Sequence, residues 1–442
     1  MKNKFKNSFL NYLSVIIGCC FVVFSAFSAH AIEIKEVTSP KGIKLWLVED
    51  QSVPLVALQF SWVGGTTQDP EGKEGLVNLM SGLFDEGAGD LTSLEYQAKL
   101  DDIGADIAFD ANRDKISGSL RVLAQNRDEA INFLKLALDK PRFDQDAIDR
   151  IREQIVTSIK GSERDPMTIG QNKFNAMLYG KHPYSRRGEG TLDSLAKINR
   201  DDIIAAHKNI LARDNLKIGL VGPINEQQAG ELVDKLFGDL PEKATLIEIP
   251  DAKLQLGGMT NVNYDLPQTT LALVYPGIKR SDKDFFAAYL MNDILGGSGL
   301  TSRLFAEVRD KRGLAYGVSS SLVNYDHAEA LMISTATRAE KAEESLKTIR
   351  NEIKNLVENN ITADELKNAK SFVVGSYAVN NLSSSSSIAS VLVGLQQENL
   401  PIDYIEKRAD LINGVTLDDV HEVAKKIFKD EPALLVVGPM KN

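Results

Sequence analysis

The sequence predicts an α+β protein made of two homologous halves, each an α/β sandwich, that enclose a cavity between them. Three observations predict this fold: an internal repeat with an offset of about 217 residues, a turn-rich stretch between the repeats, and long helices grouped between strands. The length of 442 residues suits two domains, and 43% hydrophobic with 25% charged residues is typical of a globular chain.

The repeat consists of two pairs of similar segments. In the first pair, an acidic helix start is followed by a buried strand that ends in Gly-Pro, at 201–223 and again at 418–439. In the second pair, a turn and a helix N-cap open a long helix, at 143–148 and at 361–366. Two matches at nearly the same offset indicate a duplicated architecture.

Four segments follow from the repeat and from the composition. They are a signal peptide at 1–31, an N-terminal half at 32–240, a linker at 241–257 and a C-terminal half at 258–442. The linker is predicted from its turn residues and its lack of sustained periodicity.

The leader combines a basic start, an apolar run and a small-x-small cleavage site. These features are Lys2, Lys4 and Lys6, then the run up to Phe27, then Ala29-His30-Ala31. They predict export, to the periplasm, with cleavage after Ala31. Two alternatives stay open: an uncleaved membrane anchor, and lipoprotein-type cleavage before Cys19.

Cysteine content and charge exclude several classes of function. Both cysteines, Cys19 and Cys20, lie in the leader, so the mature chain has no thiol for catalysis, metal binding or disulfides. Loss of the three leader lysines lowers the net charge from −10 to about −13. Such an acidic chain has little to neutralise phosphates, so nucleic acid is excluded as a partner.

Apolar spacing predicts the individual elements. Strands are predicted at 44–49, 55–63, 116–122, 216–221, 269–275, 316–324, 330–336 and 434–437. Helices are predicted at 93–103, 127–138, 146–159, 341–359 and 362–374. The stretch 103–112 is the candidate edge strand to which an extended peptide would add.

Common catalytic motifs are absent from the sequence, which has no G-x-S-x-G elbow and no G-x-x-x-x-G-K-[ST] loop. The mature histidines are at least 25 residues apart, so no helical pair binds a metal; they are His182, His207, His327 and His421. We interpret each as a surface or capping residue. The serines at 383–387 are interpreted as a polar loop or a helix start.

The stretch 64–88 contains Gly-Gly-Thr, then Asp-Pro-Glu-Gly-Lys-Glu-Gly-Leu, and leads into an apolar segment. It resembles the insulinase/pitrilysin-type inverzincin metallopeptidase family. In active members the Gly-Leu is followed by H-x-x-E-H on a helix, where two histidines bind Zn²⁺ and the glutamate polarises the bound water. The resemblance covers about residues 35–440 and implies the clamshell fold of these metallopeptidases.

The zinc motif is degenerate in this chain. Asn78 and Gly82 stand at the two histidine positions, and Ser81 stands at the glutamate position. Thr157 and Ser158 match the distal glutamate ligand. A carboxamide, hydroxyls and a bare glycine replace imidazoles and carboxylates. The resemblance therefore implies no metal and no cofactor in this chain, and zinc in a partner subunit.

A second motif lies at 295–316, where Leu-Gly-Gly-Ser-Gly-Leu-Thr-Ser-Arg-Leu-Phe precedes Glu-Val-Arg-Asp-Lys-Arg-Gly-Leu-Ala-Tyr. It resembles the C-terminal domain of the family, in which an arginine and a tyrosine seven residues later reach the active site across a cleft. Those positions are Arg309 and Tyr316, which would hold a substrate carbonyl and stabilise an oxyanion. The alternative is an ordinary helix-to-strand turn with a surface arginine and a half-buried tyrosine.

The glycines of this motif, Gly296, Gly297 and Gly299, allow a flexible or closely approached backbone. In the family this loop lies by the cleft and helps to admit substrate, so the three are candidate substrate-binding positions. A simple helix end and turn is the equal alternative.

The resemblance implies a non-catalytic, substrate-binding subunit of an exported heterodimeric zinc peptidase, which contributes Arg309 and Tyr316 in trans. Its expected partners are a catalytic zinc-peptidase subunit of the same family and a peptide or unfolded-protein substrate. Two alternatives remain: a stand-alone pseudo-peptidase that acts as a peptide-binding or scaffold protein, and a peptidase with a relocated active site.

Overall fold

Two β-sheets with matching strand orders form the framework of the chain, which a computed structural model describes over residues 32–359 and 361–440. The predicted leader at 1–31 lies outside the described residues. The strands are β1 (Lys35–Thr38), β2 (Lys44–Glu49), β3 (Leu55–Val63), β4 (Gly87–Ala88), β5 (Leu91–Thr92), β6 (Asp106–Ala111), β7 (Lys115–Leu123), β8 (Leu216–Gly222), β9 (Met259–Val262), β10 (Gln268–Pro276), β11 (Ala315–Tyr325), β12 (Ala328–Arg338) and β13 (Ala433–Val437).

The two sheets have the same topology. The first has the order β1-β2-β8-β3-β7-β6, and the second has the order β11-β12-β10-β13-β9. Apart from β1, each strand of the first has a counterpart in the second. In each sheet one pair is parallel, β2 with β8 and β9 with β13, and the pairs that follow are antiparallel. The predicted α+β fold with two homologous halves is confirmed.

Helices cover both sheets. They are α1 (Leu76–Ser81), α2 (Ser93–Ile103), α3 (Arg127–Asp139), α4 (Gln145–Ser162), α5 (Pro166–Tyr179), α6 (Leu192–Leu195), α7 (Arg200–Ile210), α8 (Glu226–Phe237), α9 (Phe285–Asn292), α10 (Arg303–Phe305), α11 (Ala342–Asn359), α12 (Ala363–Asn381), α13 (Ser385–Gln397), α14 (Tyr404–Asn413) and α15 (Leu417–Ile427). Several begin as the sequence indicates: Thr362 and Glu365 form a capping box at α12, which satisfies free N–H groups of its first turn.

Each half lends one helix to the sheet of the other half. Helix α13 lies on β3 and β8, where Gln396 donates to the Ile218 carbonyl at 2.8 Å and Gly219 lets the backbone of Ala389 approach. Helix α5 lies on β9 and β13, where Phe174 and its neighbours form an apolar cluster with the second sheet. Burial of one such aromatic or aliphatic side chain stabilises by about 1.5–3 kcal/mol, so the exchange ties the halves together.

The predicted linker at 241–257 contains no helix or strand and is hydrogen-bonded to both halves. Ile247 and the Gln68 side chain exchange two hydrogen bonds, of 2.7 and 3.1 Å, in the first half. Ala252 donates to the His327 carbonyl at 2.7 Å in the second half. The segment therefore follows a fixed path across the molecule.

Within the described residues, no helix is both long enough and apolar enough to cross a membrane.

Candidate functional site

The short helix α1 contains two of the positions predicted from the zinc motif, Asn78 and Ser81, and the third, Gly82, is its C-cap. Its apolar side is buried in the core of the first half, and a loop carboxylate caps its N-terminus. Asp69 accepts hydrogen bonds from the N–H groups of Gly75 at 2.8 Å and Val77 at 2.9 Å. Burial raises the pKa of Asp69 to about 7, although both hydrogen bonds favour its charged form.

The motif positions on α1 form an ordinary helix end. The Ser81 hydroxyl is buried and donates back to the Asn78 carbonyl at 2.8 Å, so it is used within the helix. Gly82 ends the helix, and a Cβ built there would lie 3.3 Å from Cγ2 of Ile151 on α4. Asn78 is half-buried and lines a cavity between the two halves.

The distal ligand position lies on a different helix, α4. Thr157 and Ser158 lie on the exposed side of α4, while Ile151, Ile155 and Ile159 form its apolar side. Because Ile151 is the residue of α4 beside Gly82, the side chain that faces the motif is a hydrocarbon. The assignment of the distal ligand position to Thr157 and Ser158 stays a prediction.

These residues do not fit a zinc ion. Zinc sites in proteins use imidazole, thiolate or carboxylate ligands, and this location offers an amide, an internally bonded hydroxyl, a glycine and an isoleucine. Across the described part of the chain, no cluster of three or more histidine, cysteine, aspartate or glutamate side chains is arranged to hold a metal.

The cavity beside Asn78 has a volume of about 590 Å³. One side is formed by α1 and by the turn between β6 and β7, at 111–115, and the other by the turn between β11 and β12, at 324–326. The two turns are counterparts in the repeat and meet across the cavity, where Lys115 and Asp326 form an ion pair of 2.9 Å. The predicted cavity between the halves is therefore present.

A buried polar cluster supports the floor of this cavity. The Tyr184 hydroxyl donates to both oxygens of Asp114, at 2.7 and 2.8 Å, and accepts from the His327 N–H at 3.0 Å. Asp114 also accepts from the Asp326 N–H at 3.2 Å. Burial raises the pKa of both Asp114 and Tyr184. The cluster joins the two halves through hydrogen bonds and contains no activated nucleophile.

Two of the histidines have structural roles. His182 caps the turn at Pro183–Ser185, because its Nδ1 accepts from the Tyr184 N–H at 3.1 Å. His207 packs on two phenylalanine rings, and its Nε2 lies 2.8 Å from the Leu138 carbonyl. Burial lowers the pKa of both imidazoles, which keeps them neutral near pH 7.

The second predicted site lies where α10 leads into β11. Helix α10 continues as a π-helical turn at Ala306–Asp310, and Gly313, with φ +58°, reverses the chain into the strand. The Arg309 guanidinium is held between two rings: its Cζ lies 4.6 Å from the Phe305 centroid and 4.8 Å from the Tyr316 centroid. Tyr316 is 86% exposed, which excludes the half-buried tyrosine of the alternative interpretation.

Half-buried Arg309 and exposed Tyr316 are in direct contact. Among the described residues, no carboxylate pairs with Arg309 and no group hydrogen-bonds to the Tyr316 hydroxyl. Tyr325, which lines the cavity beside Asn78, lies at the far end of the same strand. Nine residues at about 3.3 Å each separate Tyr316 from Tyr325 by about 30 Å, so the pair is remote from the degenerate zinc motif of its own chain.

The glycine loop before α10 is closely packed at one end and open at the other. A Cβ on Gly296 would lie 2.7 Å from the backbone nitrogen of Ser320 in β11, and a Cβ on Gly297 would lie 2.7 Å from Nδ2 of Asn292. Gly299 has φ +62° and nothing near it. Gly296 thus allows the helix end to pack against β11, and Gly297 allows a close contact with Asn292 of α9; the predicted role of the three glycines in substrate binding stays a prediction.

Sequence reasoning did not identify the cluster of Asp114, Tyr184 and His327. These residues come from distant parts of the chain, and each is common in its local context, so only the fold brings them together. The polar residues around Tyr184 in the sequence gave no indication that its hydroxyl is buried.

Comparison with known proteins gives a consistent family. A sequence model described as "Peptidase M16 inactive domain" matches residues 197–373. The "uncharacterized zinc protease YmxG" of Bacillus subtilis is 24% identical over 92% of this chain and 99% of its own length. The "non-peptidase homolog YmxG" of Helicobacter pylori is 24% identical over 91% of this chain and 93% of its own length.

Solved structures agree in fold. The crystal structure of a peptidase M16 inactive domain from Pseudomonas fluorescens matches with a TM-score of 0.87 and 28% identity, over 93% of this chain and 98% of that one. A protease from Helicobacter pylori matches with a TM-score of 0.84 and 20% identity, over 93% of this chain and all of that one.

Proposed function

From its similarity to M16 peptidases in sequence and fold, we propose that the chain is the non-catalytic, substrate-binding subunit of an exported heterodimeric zinc peptidase. The observation that carries the proposal is the contrast between the two motif regions. The zinc motif holds Asn78, Ser81 and Gly82, whereas Arg309 and Tyr316 are retained, with the half-buried guanidinium against the ring of the exposed tyrosine.

The pseudo-peptidase part of the proposal rests on the chemistry of α1. Water activation by a metal needs ligands that hold the ion and a general base beside it. The amide, the internally bonded hydroxyl and the glycine offer neither, and Ile151 faces them from α4. The inactive Pseudomonas domain and the non-peptidase homologue of Helicobacter pylori support the same conclusion.

The trans contribution rests on geometry. The exposed phenol of Tyr316 is free to donate to a developing oxyanion, and the Arg309 guanidinium, whose Cζ lies 4.6 and 4.8 Å from two ring centroids, is positioned to bind a carbonyl. Tyr316 is about 30 Å along β11 from Tyr325, the residue of that strand that lines the cavity beside the degenerate motif. A substrate that the pair contacts is therefore held by another subunit, which we propose is a zinc-bearing member of the same family.

The substrate is proposed to be a peptide or an unfolded protein. Strand β6 is the edge of the first sheet, within the predicted edge strand 103–112, and β11 is the edge of the second. An extended peptide that adds to either edge gains main-chain hydrogen bonds whatever its side chains are. Tyr316 is the second residue of β11, so a peptide paired with that strand would run past the phenol.

Export completes the proposal. We propose that the mature chain is exported to the periplasm, on the basis of the basic start, apolar run and Ala29-His30-Ala31 site of the leader, with an anchor through Cys19 as the alternative. A stand-alone pseudo-peptidase that binds peptides is the second candidate function. The observation that favours it is the contact of Arg309 with Phe305, which gives the arginine a structural role of its own.

Affinity purification of the tagged chain from its native host tests the proposal. We expect a second M16 subunit to co-purify with one zinc ion per pair, and peptide cleavage by the pair but not by this chain alone. Recovery of the chain only as a monomer or homodimer, without zinc, that still binds denatured protein would support the stand-alone function instead.

A further inference from the structure

A second cavity, of about 320 Å³, lies in the helical layer of the C-terminal half. Helices α9, α12, α13 and α14 form it, together with the segment that precedes α9. Its aromatic lining residues are Phe285, Phe286, Tyr289, Tyr377 and Tyr404. The volume is at the lower end of the range of about 300–1,000 Å³ in which small-molecule sites are found.

Arg280 is held against the aromatic wall of the cavity. Its Cζ lies 4.0 Å from the Phe285 ring centroid, 5.5 Å from that of Phe286 and 5.0 Å from that of Tyr404. One of its N–H groups donates to the Tyr404 hydroxyl. The rings and the phenol fix the orientation of the guanidinium and leave the remaining donors to other partners.

Arg408 is the second guanidinium of the cavity, and only 7% of the residue is exposed. Its Cζ lies 4.2 Å from the Tyr377 ring centroid, and its Nη1 donates to the Val373 carbonyl at 3.1 Å. A buried arginine is unfavourable unless an anion or several hydrogen bonds compensate its charge.

Neither arginine makes an ion pair with a carboxylate in the described part of the chain. Glu398 also lines the cavity, but no ion pair joins it to either guanidinium, and burial raises its pKa. Even with Glu398 ionised, the lining carries one positive charge in excess. This is a local positive site in a chain of net charge −10.

We propose that this cavity binds a carboxylate monoanion carried on an aromatic or other apolar group, with the carboxylate directed to Arg280 and Arg408. Guanidinium donors match the planar carboxylate, and the single excess charge favours a monoanion over a phosphate dianion. The aromatic side chains of the cavity contact the apolar group of the ligand. The inference does not depend on Arg309, Tyr316 or a partner subunit.

Two kinds of ligand carry a carboxylate on an apolar group: the C-terminal residue of a peptide and a free aromatic carboxylic acid. Calorimetric titration of the full mature chain distinguishes them, with N-acetyl-L-phenylalanine, its C-terminal amide, and Gly-Gly-Gly-Phe with a free carboxylate as probes. We expect the acid to bind roughly tenfold or more tightly than the amide, because the amide cannot form charge-assisted hydrogen bonds. Tighter binding of the tetrapeptide than of the acid assigns the site to peptide C-termini, and weaker binding assigns it to free acids.

The Arg280→Gln and Arg408→Lys variants locate the site. Each variant should bind the acid with roughly tenfold lower affinity than the wild type, and should bind the amide as weakly as the wild type does. Arg338→Gln is the matched control, since Arg338 is exposed, pairs with Glu340 and lies outside the cavity. If Arg408→Lys does not fold, Arg280→Gln still decides the question. Equal binding of acid and amide, no binding of the acid up to about 10 mM, or unchanged binding by a folded Arg280→Gln protein would overturn the proposal.

Discussion

The Cγ2 methyl of Ile151 lies beside Gly82, 3.3 Å from the point that a Cβ on the glycine would occupy. In active relatives the resemblance puts a zinc-binding imidazole at the glycine position. Here helix α1 and helix α4 pack against each other at this point, so a side chain on residue 82 would meet the hydrocarbon of Ile151. The zinc motif has therefore been lost in its packing as well as in its ligands.

The first prediction concerns that loss. The purified chain should bind no stoichiometric zinc, and the triple variant Asn78→His, Ser81→Glu, Gly82→His should not bind it either. The new side chain at position 82 meets Ile151, and no distal carboxylate completes the ligand set. Metal analysis after dialysis, with peptide cleavage as the second readout, checks this. One tightly held zinc per chain in the triple variant would contradict it.

Much of the fold was predictable from sequence because local patterns agree with it. The predicted strands at 44–49 and 55–63 match β2 and β3, and the predicted helix at 93–103 matches α2. In each case apolar spacing or a capping residue marks the ends. The offset of the repeat also predicted the duplicated sheet, since counterpart strands occupy counterpart places.

The exchange of helices was not predictable in this way. The serines at 383–387 fit a loop or a helix start, and the structure begins α13 at Ser385 with Ser384 as its N-cap. What places that helix on the first sheet is the contact of Gly219 with Ala389, 170 positions later in the chain. The cavity of Arg280 and Arg408 also depends on contacts between distant segments.

The second prediction tests the helix exchange. Gly219→Ala should lower the urea midpoint and destabilise by roughly 1–3 kcal/mol or more, because its Cβ would lie 2.5 Å from the Ala389 carbonyl oxygen. Gly375→Ala is the control: it lies on exposed α12 with nothing within 4 Å, and alanine favours a helix by roughly 0.5–1 kcal/mol. Equal midpoints for the two variants would show that α13 does not pack on β8 in solution.

The third prediction concerns the polar cluster between the halves. Tyr184→Phe should destabilise by about 1–3 kcal/mol, since it leaves the buried Asp114 carboxylate and the His327 N–H without their shared partner. Tyr264→Phe, at an exposed tyrosine, should leave stability unchanged. Urea denaturation followed by circular dichroism measures both. A Tyr184→Phe protein as stable as the control would show that water replaces the phenol.

The fourth prediction is a pH dependence at Asp69. Its folded pKa of about 7 is above the unfolded value of about 3.9, so the folded state holds the proton more tightly. This stabilisation is complete below about pH 4 and is lost as the pH rises through about 7. The free energy of unfolding of the wild type, minus that of Asp69→Asn, should therefore fall as the pH rises from about 4 to about 7, by at most about 1.4 kcal/mol per pH unit. Above about pH 7 this difference should stay constant. Urea titrations of both proteins at each pH measure the difference. A difference that rises with pH would mean that the N–H groups of Gly75 and Val77 keep Asp69 charged.

The fifth prediction concerns Arg309 and Tyr316 in the reconstituted pair of subunits. Tyr316→Phe removes the donor to the oxyanion and keeps the ring that stacks on Arg309, so kcat should fall by roughly 10²–10³ while assembly and zinc content stay normal. Arg309→Lys should also be poorly tolerated, because a point charge does not reproduce the planar fork between the two rings. Tyr264→Phe and Arg338→Lys are matched controls at exposed positions away from the motif. Wild-type cleavage rates for both motif variants, in complexes of normal stoichiometry, would make the stacked pair structural and leave the stand-alone binding protein as the function.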